Sequence, residues 1–300
     1  MKMYITTPVG GAGLFIYQGY KNAWERAGFE VEFINGLPRN PPQEYHAMVT
    51  EGSICQLDLK SVSSFLEKAE RVYLLVAPNK YPEPWGLHPN WRSTAPEEFI
   101  TLANELDNVY LWGFGRVEDV DFFYKWKTIH YVPLAFDHIG YQPVEDSRYE
   151  RDVVFVGGWA DNGFNEKQRI MLENLGEVSK LGLNTGIFIN QQISVADEAN
   201  LLFNSKIALN LHDEYQRVVG LDSNERTFKG LGMTGFMVCD SVSEVERLFP
   251  ALPTSNSPKE FANLVSRYLD EDLEDTKNKN REDILKNHTY LNRIETLLNL

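Results

Sequence analysis

The chain has 300 residues, 43% hydrophobic and 24% charged, which suffices for two α/β domains of roughly 150 residues each. Its net charge of −14 disfavours general nucleic-acid binding, because phosphate contacts dominate that affinity. No apolar run approaches the roughly 20 residues that span a bilayer, and two cysteines in separate halves give neither a disulfide framework nor a zinc site.

The opening MKMYITTPVGG is too short and too strand-like for a signal peptide, so a reducing, cytoplasmic setting is expected. Residues 2–7 predict a strand, 13–27 a helix and 30–35 a second strand. After a Pro-rich loop at 36–43 come a strand at 47–50, a helix at 62–69 and a strongly apolar strand at 71–77. A long loop rich in Pro and Trp fills 78–94, followed by a helix at 96–106 and strands at 109–112 and 129–132. Residues 138–151 are polar and read as a linker between domains 1–137 and 152–300. The second alternation predicts a strand at 153–156, a helix at 165–175, a strand near 186–189, a helix near 195–203 and a strand at 206–211. Ser223 or Asn224 can cap a helix that starts near Glu225; Gly235 ends it, and 236–239 is the next buried strand. Helical segments follow from 257, the last of them free to pack back on the first domain. Alternation of this kind implies α/β domains with parallel, doubly wound sheets.

Ligands bind at the carboxyl ends of strands in such sheets, so the loops there hold the candidate chemistry. Pro8-Val9-Gly10-Gly11-Ala12-Gly13 joins the first strand to the first helix. Its glycines Gly10, Gly11 and Gly13 either let backbone approach a phosphate or only make a tight turn. Gly157 and Gly158 end the first strand of the second domain, with Arg169 downstream as a bidentate phosphate donor or a surface arginine. His212 follows the 206–211 strand and is either catalytic or a structural hydrogen-bonder; Asp222 is either functional or a helix cap. The loop of Ser223, Asn224 and Arg226 sets a cation in a helix's first turn, where it opposes the dipole unless an anion lies beside it. Asp119-Val120-Asp121 and Asp270-Glu271-Asp272 spell acidic triplets at predicted helix starts and read as caps, so no metal site is expected.

Four motifs carry a family resemblance. Asn224-Glu225-Arg226-Thr227-Phe228 with Gly235 resembles an element of the spore-protein CgeB group of GT-B glycosyltransferases. Asp152-Val153-Val154-Phe155-Val156-Gly157-Gly158 with Arg169, Val132-Pro133-Leu134-Ala135-Phe136-Asp137, and His288-Thr289-Tyr290 with Arg293 are similar to other parts of that group, in the same order. The resemblance implies a GT-B fold, two Rossmann-like domains around an interdomain cleft, and transfer of a sugar from a nucleoside diphosphate sugar, without cofactor or metal. The acceptor would be a small molecule, glycan or protein. It implies donor binding by the glycine loops, Arg169, Ser223, Asn224 and Arg226, and contact of Asp222 with the sugar. Glu83 and His88, in the aromatic loop, become candidates for the base that deprotonates an acceptor hydroxyl. One position departs from the pattern: Lys229 stands where the group carries a ribose-binding Glu, and it either lines the donor pocket as a further positive charge or turns outward to solvent. That departure leaves open a GT-B-like binding module without transfer, while the aromatic loop leaves open a transferase that acts on modified DNA bases.

Overall fold

The structure, a computed structural model, describes residues 1–8, 11–81, 83, 92–116, 121–159 and 166–300. The chain divides into two compact units, Met1–Pro133 with Tyr290–Leu300, and Leu134–Thr289.

The first unit holds β1 (Lys2–Thr6), α1 (Ala12–Arg26), β2 (Glu30–Ile34), β3 (Tyr45–Thr50), α2 (Glu51–Ile54), α3 (Leu59–Lys68), β4 (Arg71–Leu75), α4 (Glu97–Glu105), β5 (Val109–Gly113) and β6 (Ile129–Tyr131). Its six strands pair in parallel in the order β2-β1-β3-β4-β5-β6. Central strands such as β3 are buried almost throughout, which is why they read as continuous apolar runs in the sequence. One side of the sheet packs Val62, Phe65 and Leu66 of α3 and Phe99 and Ile100 of α4 against Val49, Val72 and Leu74.

The second unit holds β7 (Arg151–Gly157), α5 (Glu166–Ser179), β8 (Thr185–Ile189), α6 (Val195–Phe203), β9 (Ser205–Asn210), α7 (Glu214–Val219), α8 (Glu225–Met233), β10 (Met237–Cys239), α9 (Ser243–Leu248), α10 (Pro258–Leu269) and α11 (Glu274–Asn287). Its four strands are parallel in the order β10-β9-β7-β8. Phe155, Leu209 and Val238 of the sheet pack against Ile170 and Met171 of α5 and Phe261 and Val265 of α10. The last helix, α12 (Tyr290–Leu298), belongs to the first unit, where the ring of Tyr290 covers Gly19 of α1.

Three local features refine the sequence reading. Residues 138–151, read as a linker, are tied into the second unit: the Val144 and Asp146 N–H groups donate to the side chains of Asn200 and Asn204, both at 3.0 Å. Helix α7 interrupts the expected loop after β9. Gln216 Oε1 accepts from the Asp213 N–H at 3.3 Å, half of a reciprocal box that D-x-x-Q spells in the sequence. Asp270 ends α10 rather than starting a helix, and Asp121 opens a short turn of 3-10 helix; Asp119 and Val120 lie outside the described residues.

Candidate functional site in the second unit

Three elements converge at the carboxyl ends of β7 and β9. Helix α8 starts there because Asn224, in extended conformation, accepts the Thr227 N–H at 3.2 Å on its side chain. Asp222 is therefore not the cap; Asn224 is. The first N–H groups of α8 have no intrahelical partner and stand where its dipole is positive.

Arg226 projects from this first turn onto the sheet end. Its Nε donates to the Val156 carbonyl at 2.7 Å, and its Nη1 to Asn210 Oδ1 and the Leu211 carbonyl at 3.1 and 3.2 Å. The guanidinium lies 4.9 Å from the centre of the Phe155 ring. Among the described residues no carboxylate comes within salt-bridge distance of it, and its Nη2 donates no hydrogen bond. Gly157 is what admits this arginine, since a Cβ there would overlap the guanidinium. At Gly158 a Cβ would overlap Asn190, whose Oδ1 accepts the Trp159 N–H at 3.0 Å. The two glycines, expected to make room for a ligand, thus first make room for two side chains.

A second cation sits beside Arg226. Lys167, at the start of α5 and buried, donates to the same Leu211 carbonyl at 2.8 Å and lies 3.7 Å from Asp213. Burial pulls its pKa down to about 8, and nearby Arg226 adds to the shift against the attraction of Asp213. The cation expected here was Arg169 rather than Lys167. Two residues along a helix turn through roughly 200°, so these side chains face nearly opposite ways. Arg169 is exposed, paired with Glu173 at 3.3 Å and Glu214 at 3.8 Å, and does not join the cluster.

His212 is completely buried. Its Nδ1 is 2.7 Å from Asp240 Oδ1, its backbone N–H donates to Asp240 Oδ2 at 2.8 Å, and its Nε2 is 3.2 Å from Ser223 Oγ. Burial lowers its pKa against the pull of Asp240, a shift that favours the neutral ring. Asp240, His212 and Ser223 reproduce in space the connectivity of a hydrolytic triad that their sequence order hides. Ser223 is itself buried, however, and its Oγ is also 2.6 Å from Thr227 Oγ1, so it is held inside the protein. Cys239 adds a thiol 3.8 Å from His212 Nδ1. Burial, reinforced by Asp240, raises that thiol well above its ordinary pKa, and the close Nδ1–Oδ1 contact is a hydrogen bond; neither suits a metal.

Asp222 is half-buried, and loss of hydration pushes its pKa up to about 6. Of the two places open to Lys229, the outward one is excluded by its burial. Its Nζ lies 2.6 Å from Glu198 and 3.4 Å from Glu225, and Tyr141 donates its hydroxyl to Glu198 at 2.8 Å. Burial lowers the lysine's pKa, but Glu225 and Glu198 more than offset it and leave it raised.

The remaining candidates belong to the first unit. Gly11 precedes α1 at φ 56°, which requires glycine, while a Cβ at Gly13 would make only ordinary contacts. Glu83 is exposed. Gly10 and His88 lie outside the described residues. A carboxylate that the sequence reading missed is Glu51, buried directly after β3; its Oε2 accepts the Ala77 N–H at 3.4 Å, and desolvation raises its pKa to about 7.

Comparison with known proteins places the fold. A glycosyltransferase involved in avilamycin A biosynthesis is similar with TM-score 0.57 and 10% identity, over 100% of this chain and 96% of that one. An alpha-glucosyltransferase in complex with UDP and a 13-mer DNA containing an HMU base gives TM-score 0.54 and 12% identity, over 96% of each. An alpha,alpha-trehalose 6-phosphate synthase from Burkholderia multivorans gives 0.51 and 10%, over 96% of this chain and 75% of that one. No curated protein matches the sequence. The shared fold is GT-B. A family model described as glycosyl transferase-like matches residues 142–299, more than half of the chain and the whole cluster around Arg226, and the chain belongs to that family.

Proposed function

We propose that this protein transfers a sugar from a nucleoside diphosphate sugar to an acceptor hydroxyl, with the donor's diphosphate held by Arg226, Lys167 and the start of α8. One observation carries the reading: at the carboxyl ends of two adjacent parallel strands, Arg226 is fixed by carbonyl and amide oxygens, while the carboxylates that attract it, Glu225, Glu198, Asp213 and Asp240, stay beyond salt-bridge distance. Charge developing on the departing diphosphate would be stabilised by these preorganised donors, without a metal. Asp222, half-buried just before α8, would contact the transferred sugar. The motifs around Asn224 and Gly157 favour kinship with the CgeB group, and the two buried thiols suit a reducing, cytoplasmic setting. The charge of −14 favours a small-molecule, glycan or protein acceptor over DNA.

UDP is the first probe. It should raise the melting temperature by mass action, in the presence of EDTA as in its absence. Arg226→Ala should lower UDP affinity at least tenfold, the loss of one charge-assisted contact of about 1.5–3 kcal/mol. An unchanged affinity in that variant would remove Arg226 from the site, and dependence on added magnesium would end the metal-free reading.

The sequestered Lys229 supports a second reading, a nucleotide-binding module that no longer performs transfer. Slow hydrolysis of a nucleotide sugar by the purified protein separates the two, since a module that only binds should leave the donor intact.

A further inference from the structure

A run of hydrogen bonds leads from Arg226 into the interior of the second unit. Arg226 Nη1 donates to Asn210 Oδ1 at 3.1 Å, and Asn210 Nδ2 donates to Thr227 Oγ1 at 2.8 Å. Thr227 Oγ1 is 2.6 Å from Ser223 Oγ, Ser223 Oγ is 3.2 Å from His212 Nε2, and His212 Nδ1 is 2.7 Å from Asp240 Oδ1. Asn210, His212, Ser223, Thr227 and Asp240 are all buried. Two longer contacts of 3.4 Å offer the Ser223 and Thr227 hydroxyls other acceptors, the Asn224 carbonyl and the Asn224 Oδ1, and Arg217 lies 3.8 Å from Asp240.

Along the shorter contacts, counting protons gives every link one direction. Asp240 is a carboxylate and only accepts, so the imidazole proton is on Nδ1. A neutral ring then offers Nε2 as an acceptor, and Ser223 must donate to it. The single proton of Ser223 is thereby spent, so Thr227 donates to Ser223. Thr227 accepts from the Asn210 amide, which turns the Asn210 oxygen toward Arg226. The other end demands the same orientation, because a guanidinium only donates. The two ends of the run agree on an amide orientation that neither side chain sets by itself, and the bonds all point one way, so each polarises the next.

We propose that His212, Ser223, Thr227 and Asn210 are positioning residues for nucleotide binding: anchored on Asp240, they lock the Arg226 guanidinium by Nη1 before a ligand arrives and leave Nη2 to the diphosphate. This rests on the reading of Arg226 as a diphosphate ligand. The gain is preorganisation, since a floppy arginine would lose its freedom only on binding.

Thr227→Val keeps the side-chain shape and deletes one hydroxyl; Ser223→Ala cuts the adjacent link; Thr227→Ser restores the hydroxyl. UDP affinity is measured by calorimetry for each variant, alone and combined with Arg226→Gln. Thr227→Val and Ser223→Ala should each weaken UDP by about tenfold when Arg226 is intact and by less than about threefold when combined with Arg226→Gln, with Thr227→Ser near wild type. Equal losses with and without Arg226→Gln would mean general damage to the fold and would overturn the proposal. A nitrogen-15 NMR measurement tests the run without nucleotide. His212 should carry its proton on Nδ1, and the Arg226 Nε–H signal should be slow to exchange in wild type and Thr227→Ser but fast in Thr227→Val. A proton on Nε2, or exchange unaffected by Thr227→Val, overturns the relay whatever UDP does. If wild-type protein binds no UDP while the NMR pattern holds, the diphosphate reading fails and the relay stands.

Discussion

At the scale of single residues, the second unit hides charge that most proteins leave in water. Lys229, Glu198 and Glu225 form a buried cluster in which each member depends on the others. Lys229→Met would leave carboxylates buried without their cation, and unfolding experiments should show a loss of about 3–5 kcal/mol. A loss below about 1 kcal/mol would mean that the cluster contributes little net stability. Glu51 is the corresponding case in the first unit. Its folded pKa of about 7 lies above the ordinary carboxyl value of 4.5, so the folded state binds the extra proton. Stability linked to this group is full below pH 4.5 and falls as pH rises through 7. Glu51→Gln should therefore stabilise the protein by roughly 3 kcal/mol at about pH 8 and hardly at all at about pH 4, as thermal melts at the two pH values would reveal. Little of this was legible in the sequence. His212, Ser223, Asn224 and Arg226 stood out by position, but their bonds to Asn210, Thr227 and Asp240 join residues on different elements. Lys167 carried no signal, because one lysine in a polar helix start looks like any solvated lysine.

At the scale of elements, α8 shows how small residues bring a helix close to a sheet. A Cβ at Gly230 would overlap only the terminal methyl of Met237, whereas at Gly232 it would come 2.6 Å from the ring of Phe136. A methionine end can swing aside; a ring held in the core cannot. Gly232→Ala should thus cost more stability than Gly230→Ala, and denaturant titrations of the pair give the order. Gly235 closes the helix at φ 81°, and a Cβ there would lie 2.7 Å from the Lys277 carbonyl. These helix and strand limits were readable because parallel strands are buried on both faces and glycine marks where the chain turns left-handed. Helix α7 was not expected because its six residues are too few to show an apolar period, although its D-x-x-Q start could have been noticed. Gly157 offers the sharpest test of how the site is assembled. Gly157→Ala would force the Arg226 guanidinium out of its place and break its bonds to Val156, Asn210 and Leu211, so UDP affinity should fall about tenfold and the unliganded protein should melt at a lower temperature. Unchanged affinity would show that the arginine binds from a different position.

For the molecule as a whole, the two alternations of strand and helix specified two parallel-sheet units, and the structure contains both. Among the described residues no helix is long and apolar enough to cross a membrane. The division of the chain has an effect on its biosynthesis. The first unit is interrupted: Met1–Pro133 and Tyr290–Leu300 are separated by all of the second. On the ribosome, the six strands of the first sheet emerge early, but Tyr290, which covers Gly19 and packs 4.7 Å from Tyr20, emerges only after residue 289. Until then the nascent first unit carries an unroofed aromatic patch on α1, the kind of transiently exposed apolar surface that makes folding intermediates prone to aggregate.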